Sequence, residues 1–167
     1  MQVEIRRART SDVKAIRALV DTYTADRRLL SKATVTLYES VQEFWVAVDA
    51  EDQRVIGCGA LHVMWEDLAE IRTVAVDPAC RGLQIGHRIV SVLLDVAREL
   101  GVARVFCLTF ETRFFGSFGF TEIDGAPVPH TVYEQLLRSY DEGVAEFLDL
   151  ERVKPNTLGN RRMLLHL

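Results

Sequence analysis

The stretch Glu70–Arg98 reads EIRTVAVDPACRGLQIGHRIVSVLLDVAR. Arg81, Gly82 and Gly86 fall where a strand-like run gives way, past a turn at Asp77-Pro78, to a helical pattern. A helix start carries N–H groups without intrahelical partners and a partial positive charge, so it binds anions. Two glycines allow close backbone approach and Arg81 adds charge, which together suit a di- or polyphosphate. The spacing matches neither GxGxxG nor the P-loop pattern, so neither of those nucleotide sites is read here.

Just upstream, strand alternation puts Leu68, Glu70, Arg72, Val74 and Val76 on one face. Glu70 and Arg72 then project side by side. The rest of the chain supplies elements to hold these groups. Val3–Arg6 alternates as a strand, and Thr10, Ser11 and Asp12 precede a helical face of Val13, Ile16, Leu19 and Val20. Residues 23–38 are less regular. Strands are expected at Phe44–Val48, Val55–Val63 and Leu68–Val76, with a polar turn at 49–52. Ile85, Ile89, Val92, Leu93, Val96 and Leu100 repeat at helical spacing, closed by Gly101. Val105–Thr109 reads as a buried strand, parallel to its predecessor across that helix. A short aromatic helix at 114–118, a short strand at 120–123, a partly helical stretch at 133–150 and a terminal strand at 163–167 complete the pattern.

At 167 residues, with 49% apolar and 26% charged residues, 1–167 is expected to form one domain with a sizeable core. A net charge of -4 gives no reason to expect nucleic-acid or membrane binding. The basic start Arg6-Arg7-Ala8-Arg9 lacks a following apolar segment and is not read as a signal peptide, and no run reaches transmembrane length. Cys58, Cys80 and Cys107 are isolated, without metal-ligand spacing, and are expected as free thiols in a reducing cytoplasm. The four histidines form no metal or nucleophile motif, so no metal is expected.

Taken together, the strand, the segment Arg81-Gly82-Leu83-Gln84-Ile85-Gly86 and the amphipathic helix resemble the acetyl-CoA signature of the GCN5-related N-acetyltransferase (GNAT) superfamily, usually Q/R-x-x-G-x-G/A. Gln84 stands at the usual first glycine. Phe114-Phe115-Gly116-Ser117-Phe118-Gly119-Phe120 resembles a second superfamily element, F-Y-x-x-x-G-F. CGALHVMWEDLAEIRTVAVDP, LTFETRFFGSFGFTEI and AEFLDLERVKPNTLGN are more specifically similar to the N-acetylglutamate synthases of arginine biosynthesis, in particular the short stand-alone actinobacterial amino-acid N-acetyltransferases. The resemblance runs from about Arg6 to the end and includes no amino-acid-kinase-like domain.

The resemblance implies an α/β (α+β) GNAT fold, a mixed, mostly antiparallel twisted sheet flanked by helices. It implies acetyl transfer from acetyl-CoA, as co-substrate, to the α-amine of glutamate or glutamine. Acetyl-CoA would be held by Val74, Ala75, Val76, Arg81, Gly82, Gln84, Ile85, Gly86, His87 and Phe115. Such transfer needs a base to deprotonate the ammonium, and Glu70 is the candidate, the alternative being that it simply pairs with Arg72 or another arginine. The substrate's carboxylate asks for bidentate arginine or a lysine, with Arg72, Lys32, Arg113 and Arg162 as candidates and Asn160 as an amide donor or acceptor. Main-chain N–H groups near Val74 would polarise the thioester carbonyl. Phe115 stands where a phenolic acid is often found and cannot donate a proton; Tyr133 and Tyr140 are possible substitutes. A homodimer is expected on family grounds. Acetylation of a protein amine and a non-catalytic CoA-binding regulatory domain are the competing readings.

Overall fold

A computed structural model describes residues 1–24, 33–157 and 159–167. Along the chain run β1 (Val3–Arg7), α1 (Val13–Thr24), α2 (Thr34–Glu39), β2 (Phe44–Asp49), β3 (Val55–Trp65), β4 (Leu68–Val76) and α3 (Ile85–Leu100). There follow β5 (Arg104–Thr109), α4 (Thr112–Gly116), β6 (Thr121–Glu122), α5 (His130–Leu136), α6 (Glu142–Phe147) and β7 (Arg161–His166). The strand order is β1-β2-β3-β4-β5-β7-β6. β1 with β2, β2 with β3, β5 with β7 and β6 with β7 pair antiparallel, whereas β4 and β5 pair parallel. The parallel pair is joined by α3, the crossover that parallel strands require. The mixed, mostly antiparallel sheet implied by the resemblance is therefore present.

Local chemistry explains where the elements differ from the sequence reading. The aromatic helix spans Thr112–Gly116 rather than 114–118, because Gly119 turns the chain at φ 100°. The stretch 133–150 resolves into two short helices. Asp141 separates them as the N-cap of α6, its side chain accepting a hydrogen bond from the Val144 N–H at 3.0 Å.

The chain divides into two compact units, Met1–Leu61 with Thr73–Val96 and His62–Arg72 with Ala97–Leu167. In the first, Val13, Ile16, Leu19 and Val20 of α1 and Leu37 of α2 pack on Phe44, Val46 and Val48 of β2 and Cys58 and Ala60 of β3. The other face of β3 receives α3. A Cβ at Gly57 would lie 2.9 Å from Ile85 Cγ2, and one at Gly59 would lie 2.7 Å from Ile89 Cγ2. These two glycines set how closely the start of α3 approaches the sheet.

In the second unit, Leu136 of α5 and Val144, Phe147 and Leu148 from α6 and its end pack on Met64, Leu68, Phe106 and Leu164. The Phe106 and Phe147 rings meet edge to face, 5.3 Å apart. This packing lays α6 over the part of β4 that carries Glu70. All three cysteines are buried free thiols. Among the described residues, no helix is long and apolar enough to cross a membrane.

Candidate active site

The first unit contains the loop read from the sequence as an anion site. After β4, Asp77 accepts the Ala79 N–H at 2.9 Å and starts a short 3-10 turn through Pro78–Cys80. Arg81, Gly82, Leu83 and Gln84 follow, all exposed. Gly82 has φ 84° and space on every side for an approaching ligand. Gln84 has φ 60°, so this glutamine adopts the left-handed conformation that glycine takes more readily. Its carbonyl accepts the Arg88 N–H at 3.0 Å. The N–H groups of Ile85, Gly86 and His87 therefore precede the first intrahelical bond of a 16-residue helix. Ile85 is buried and fixes the helix to the sheet, while His87 is exposed on the first turn. Loop and helix start together fit a diphosphate.

Strand β4 is irregular next to this loop. Its register on β5 covers Leu68, Ala69 and Glu70, opposite Arg104, Val105 and Phe106. Thr73 then takes φ 58°, an outlying conformation for a β-branched residue. Its carbonyl accepts the Cys58 thiol at 3.4 Å. This left-handed residue lies immediately before Val74, Ala75 and Val76.

The second unit holds Glu70 and Arg72. As alternation requires, they share a face: Arg72 Nε donates to Glu70 Oε1. They do not project side by side into open space. The Glu70 side chain is 3% exposed and that of Arg72 is 15% exposed. Arg72 Nη1 and Nη2 donate to the two carboxylate oxygens of Asp141 at 2.8 and 2.6 Å. This is the end-on, bidentate geometry that a substrate carboxylate would use. All three guanidinium nitrogens of Arg72 thus have partners in its own chain.

Gly143 lies over the pair. A Cβ there would fall 2.5 Å from Arg72 Nη2 and 2.8 Å from Glu70 Oε2. His62 Nε2 lies 3.8 Å from Asp141 Oδ2. Burial raises the Asp141 carboxyl, but Arg72's hydrogen bonds and charge, His62 and the Val144 N–H outweigh it, holding it at about 2. Burial and the neighbouring Glu70 push the Cys107 thiol well up, so it stays protonated.

The other residues read from the sequence fall in different surroundings. Phe115 is buried, edge to face with Phe114 and Phe120, and supplies packing within that cluster. Arg162 donates to the carbonyls of Gly125, Glu146 and Phe147 and lies over the Phe106 ring. Its guanidinium ties α6 to β7. Arg113 is exposed on α4. Lys32 lies outside the described residues. Asn160 lines a cavity of about 320 Å³ with Leu108, Glu146 and Thr157. Its side-chain oxygen is buried with no hydrogen-bond partner among the described residues. Tyr140 is 98% exposed, and Tyr133 packs beside the core of its unit. Among the described residues, no cluster of three or more His, Cys, Asp or Glu could hold a metal.

Asp141, His62 and Gly143 were not found from the sequence. Asp141 and Gly143 lie far from β4 along the chain and His62 lies on the preceding strand β3, and no spacing rule joins any of them to the Glu70–Arg72 pair. Asp141 alone left a trace, as a capping residue followed by apolar Val144, Ala145 and Phe147.

In chain order there are thus a buried carboxylate on β4, a left-handed residue farther along the same strand, and an exposed loop with Arg81 and Gly82 that opens α3. The Acetyltransferase (GNAT) family model matches residues 13–120, and the chain belongs to that family of acyltransferases. It is 65% identical over 162 residues to the amino-acid acetyltransferase of Mycobacterium tuberculosis (strain ATCC 25618 / H37Rv), covering 96% of this chain and 92% of that protein. The crystal structure of Rv2747 from Mycobacterium tuberculosis, in complex with CoA and NLQ, superposes with a TM-score of 0.94 at 65% identity over 98% of this chain and 99% of that one. An N-acetylglutamate synthase from Neisseria gonorrhoeae, complexed with coenzyme A and N-acetyl-glutamate, shares the fold. Its TM-score is 0.78 at 23% identity, with all of this chain matching 35% of that one.

Proposed function

We propose that this chain is a cytoplasmic amino-acid N-acetyltransferase that moves the acetyl group of acetyl-CoA to the α-amine of L-glutamate or L-glutamine, the first step towards arginine. The observation that carries the proposal is the 65% identity to an amino-acid acetyltransferase across nearly the whole of both chains. A homodimer is part of the same reading.

Acetyl-CoA supplies an activated thioester. The residues that would hold its diphosphate are Arg81, Gly82, Gln84 and the N–H groups of Ile85, Gly86 and His87, because positive charge, open backbone and the N–H groups of a helix start coincide there. Main-chain N–H groups near Val74, just past the left-handed Thr73, would polarise the thioester carbonyl. Glu70 is the base that takes a proton from the substrate ammonium, directly or through a water. The Arg72 guanidinium favours the ionised carboxylate that this role needs. Arg72, Arg113 and Arg162 are the described candidates for the substrate carboxylate; Arg72 and Arg162 already have partners in their own chain, and Arg113 is exposed on α4. The unpartnered Asn160 oxygen is a natural acceptor for a substrate N–H. No phenol is assigned as acid. A thiolate whose parent thiol has a pKa of about 8.5 can leave without one, and catalysis then rests on positioning.

The test is steady-state release of CoA thiol with acetyl-CoA, a panel of free amino acids and one basic peptide. Saturable turnover on glutamate or glutamine is expected. Turnover on the peptide alone would replace the substrate class, and acetyl-CoA binding without any turnover would make the chain a CoA-binding regulatory domain.

A further inference from the structure

We infer that Asp141 is a positioning residue for the carboxylate of Glu70 and acts on it through Arg72; this rests on the reading of Glu70 as the base. The three residues form a chain that runs outward from the core. Side-chain exposure rises from 3% at Glu70 to 15% at Arg72 and 23% at Asp141. A guanidinium is planar. Once Nη1 and Nη2 are fixed on the two oxygens of Asp141, the direction of the Nε–H is fixed as well, and here it meets Glu70. Glu70's own strand cannot do this, because a long arginine side chain has several rotamers of similar energy.

Asp141 is itself held. It caps α6 through the Val144 N–H at 3.0 Å, and α6 is anchored by Phe147 against Phe106, the residue opposite Glu70 in the β4–β5 register. The same helix presents Gly143 to the pair, where no side chain fits. A 69-residue separation in sequence is thus closed into one rigid constellation.

Electrostatics gives the arrangement a second effect. A carboxylate facing an unshared arginine holds its negative charge too firmly to accept a proton readily. Asp141 shares the Arg72 cation and weakens that pull. Cys107 on β5 stays a neutral thiol, His62 on β3 faces Asp141 at 3.8 Å, and Glu146 is buried farther along α6.

The experiment compares wild type with Asp141→Asn and Asp141→Glu. Asparagine retains the oxygen that caps Val144, so it removes charge while keeping the helix. Two measurements are made: kcat and KM for the amino acid across pH, and the pH titration of the Glu70 carboxyl carbon by NMR, assigned with Glu70→Gln. In Asp141→Asn the Glu70 midpoint should fall by about half to one pH unit, with the acid limb of kcat/KM following. Its kcat should drop on the order of tenfold while the amino-acid KM holds. Asp141→Glu keeps the charge and should keep the midpoint. An unmoved Glu70 midpoint in Asp141→Asn, or a loss confined to KM, overturns the inference. A moved midpoint in a protein that turns over no amino acid supports the coupling and overturns only the substrate reading.

Discussion

Gly143 sits against the Glu70 carboxylate so closely that a β-carbon there would lie 2.8 Å from Oε2. Its backbone does not require glycine, since its φ is not in the left-handed region. Space alone excludes a side chain. Gly143→Ala should therefore displace the Glu70–Arg72 pair without changing any charge. Overpacking of this kind costs about 1–3 kcal/mol. The expected outcome is a fall in kcat with unchanged acetyl-CoA affinity and a lower thermal midpoint. Unaltered kcat would mean that α6 moves aside freely and does not constrain Glu70.

Arg81 is exposed at the loop that opens α3, in the other unit from Glu70. Arg81→Ala should weaken acetyl-CoA binding by about tenfold at low salt, less at high salt, because a charge-assisted phosphate contact is lost and salt screens it. Amino-acid binding should hold. Calorimetry with each ligand measures both, and equal losses would remove Arg81 from the phosphate site.

How much of this was legible in the sequence depends on the range of the contact. The loop Arg81–Gly86 was readable because glycine placement and a helix start are local, and the structure puts Gly82 and Gln84 in left-handed backbone there. The shared face of Glu70 and Arg72 followed from strand alternation, which needs no tertiary knowledge. What those side chains touch did not follow. Asp141 reaches Arg72 only because α6 packs through Val144 and Phe147 on Leu68 and Phe106, and periodicity in a six-residue helix is too short to announce that. The surroundings of Arg162 were hidden for the same reason: three carbonyls reach its guanidinium from Gly125, Glu146 and Phe147, none of them near it in the chain.

Gln84 yields a prediction of opposite sign to most substitutions. An L-residue with a side chain pays roughly 1–2 kcal/mol for φ near 60°, whereas glycine gains chain entropy in the unfolded state worth roughly 0.5–1 kcal/mol. Gln84→Gly should leave stability unchanged or raise it by up to about 1 kcal/mol, even though it introduces glycine at a helix start. Denaturant unfolding measures this. A loss of stability would show that the Gln84 side chain contributes more than its backbone conformation costs.

The Asp141 carboxyl makes stability depend on pH in a defined direction. It is held at about 2, against 3.8 in the absence of its partners. A carboxyl with the lower value in the folded chain favours folding above the unfolded value, and that contribution is lost as pH falls from about 4 towards 2. The difference corresponds to about 2 kcal/mol at neutral pH. Asparagine at this position keeps the α6 cap but cannot ionise. Wild type should therefore exceed Asp141→Asn by about 2 kcal/mol at pH 7, and the gap should shrink by about half at pH 3. Urea unfolding of both proteins at the two pH values makes the comparison. A gap of constant size would mean that Asp141 stabilises through hydrogen-bond geometry that asparagine cannot reproduce, and that the charge it presents to Arg72 contributes little to folding.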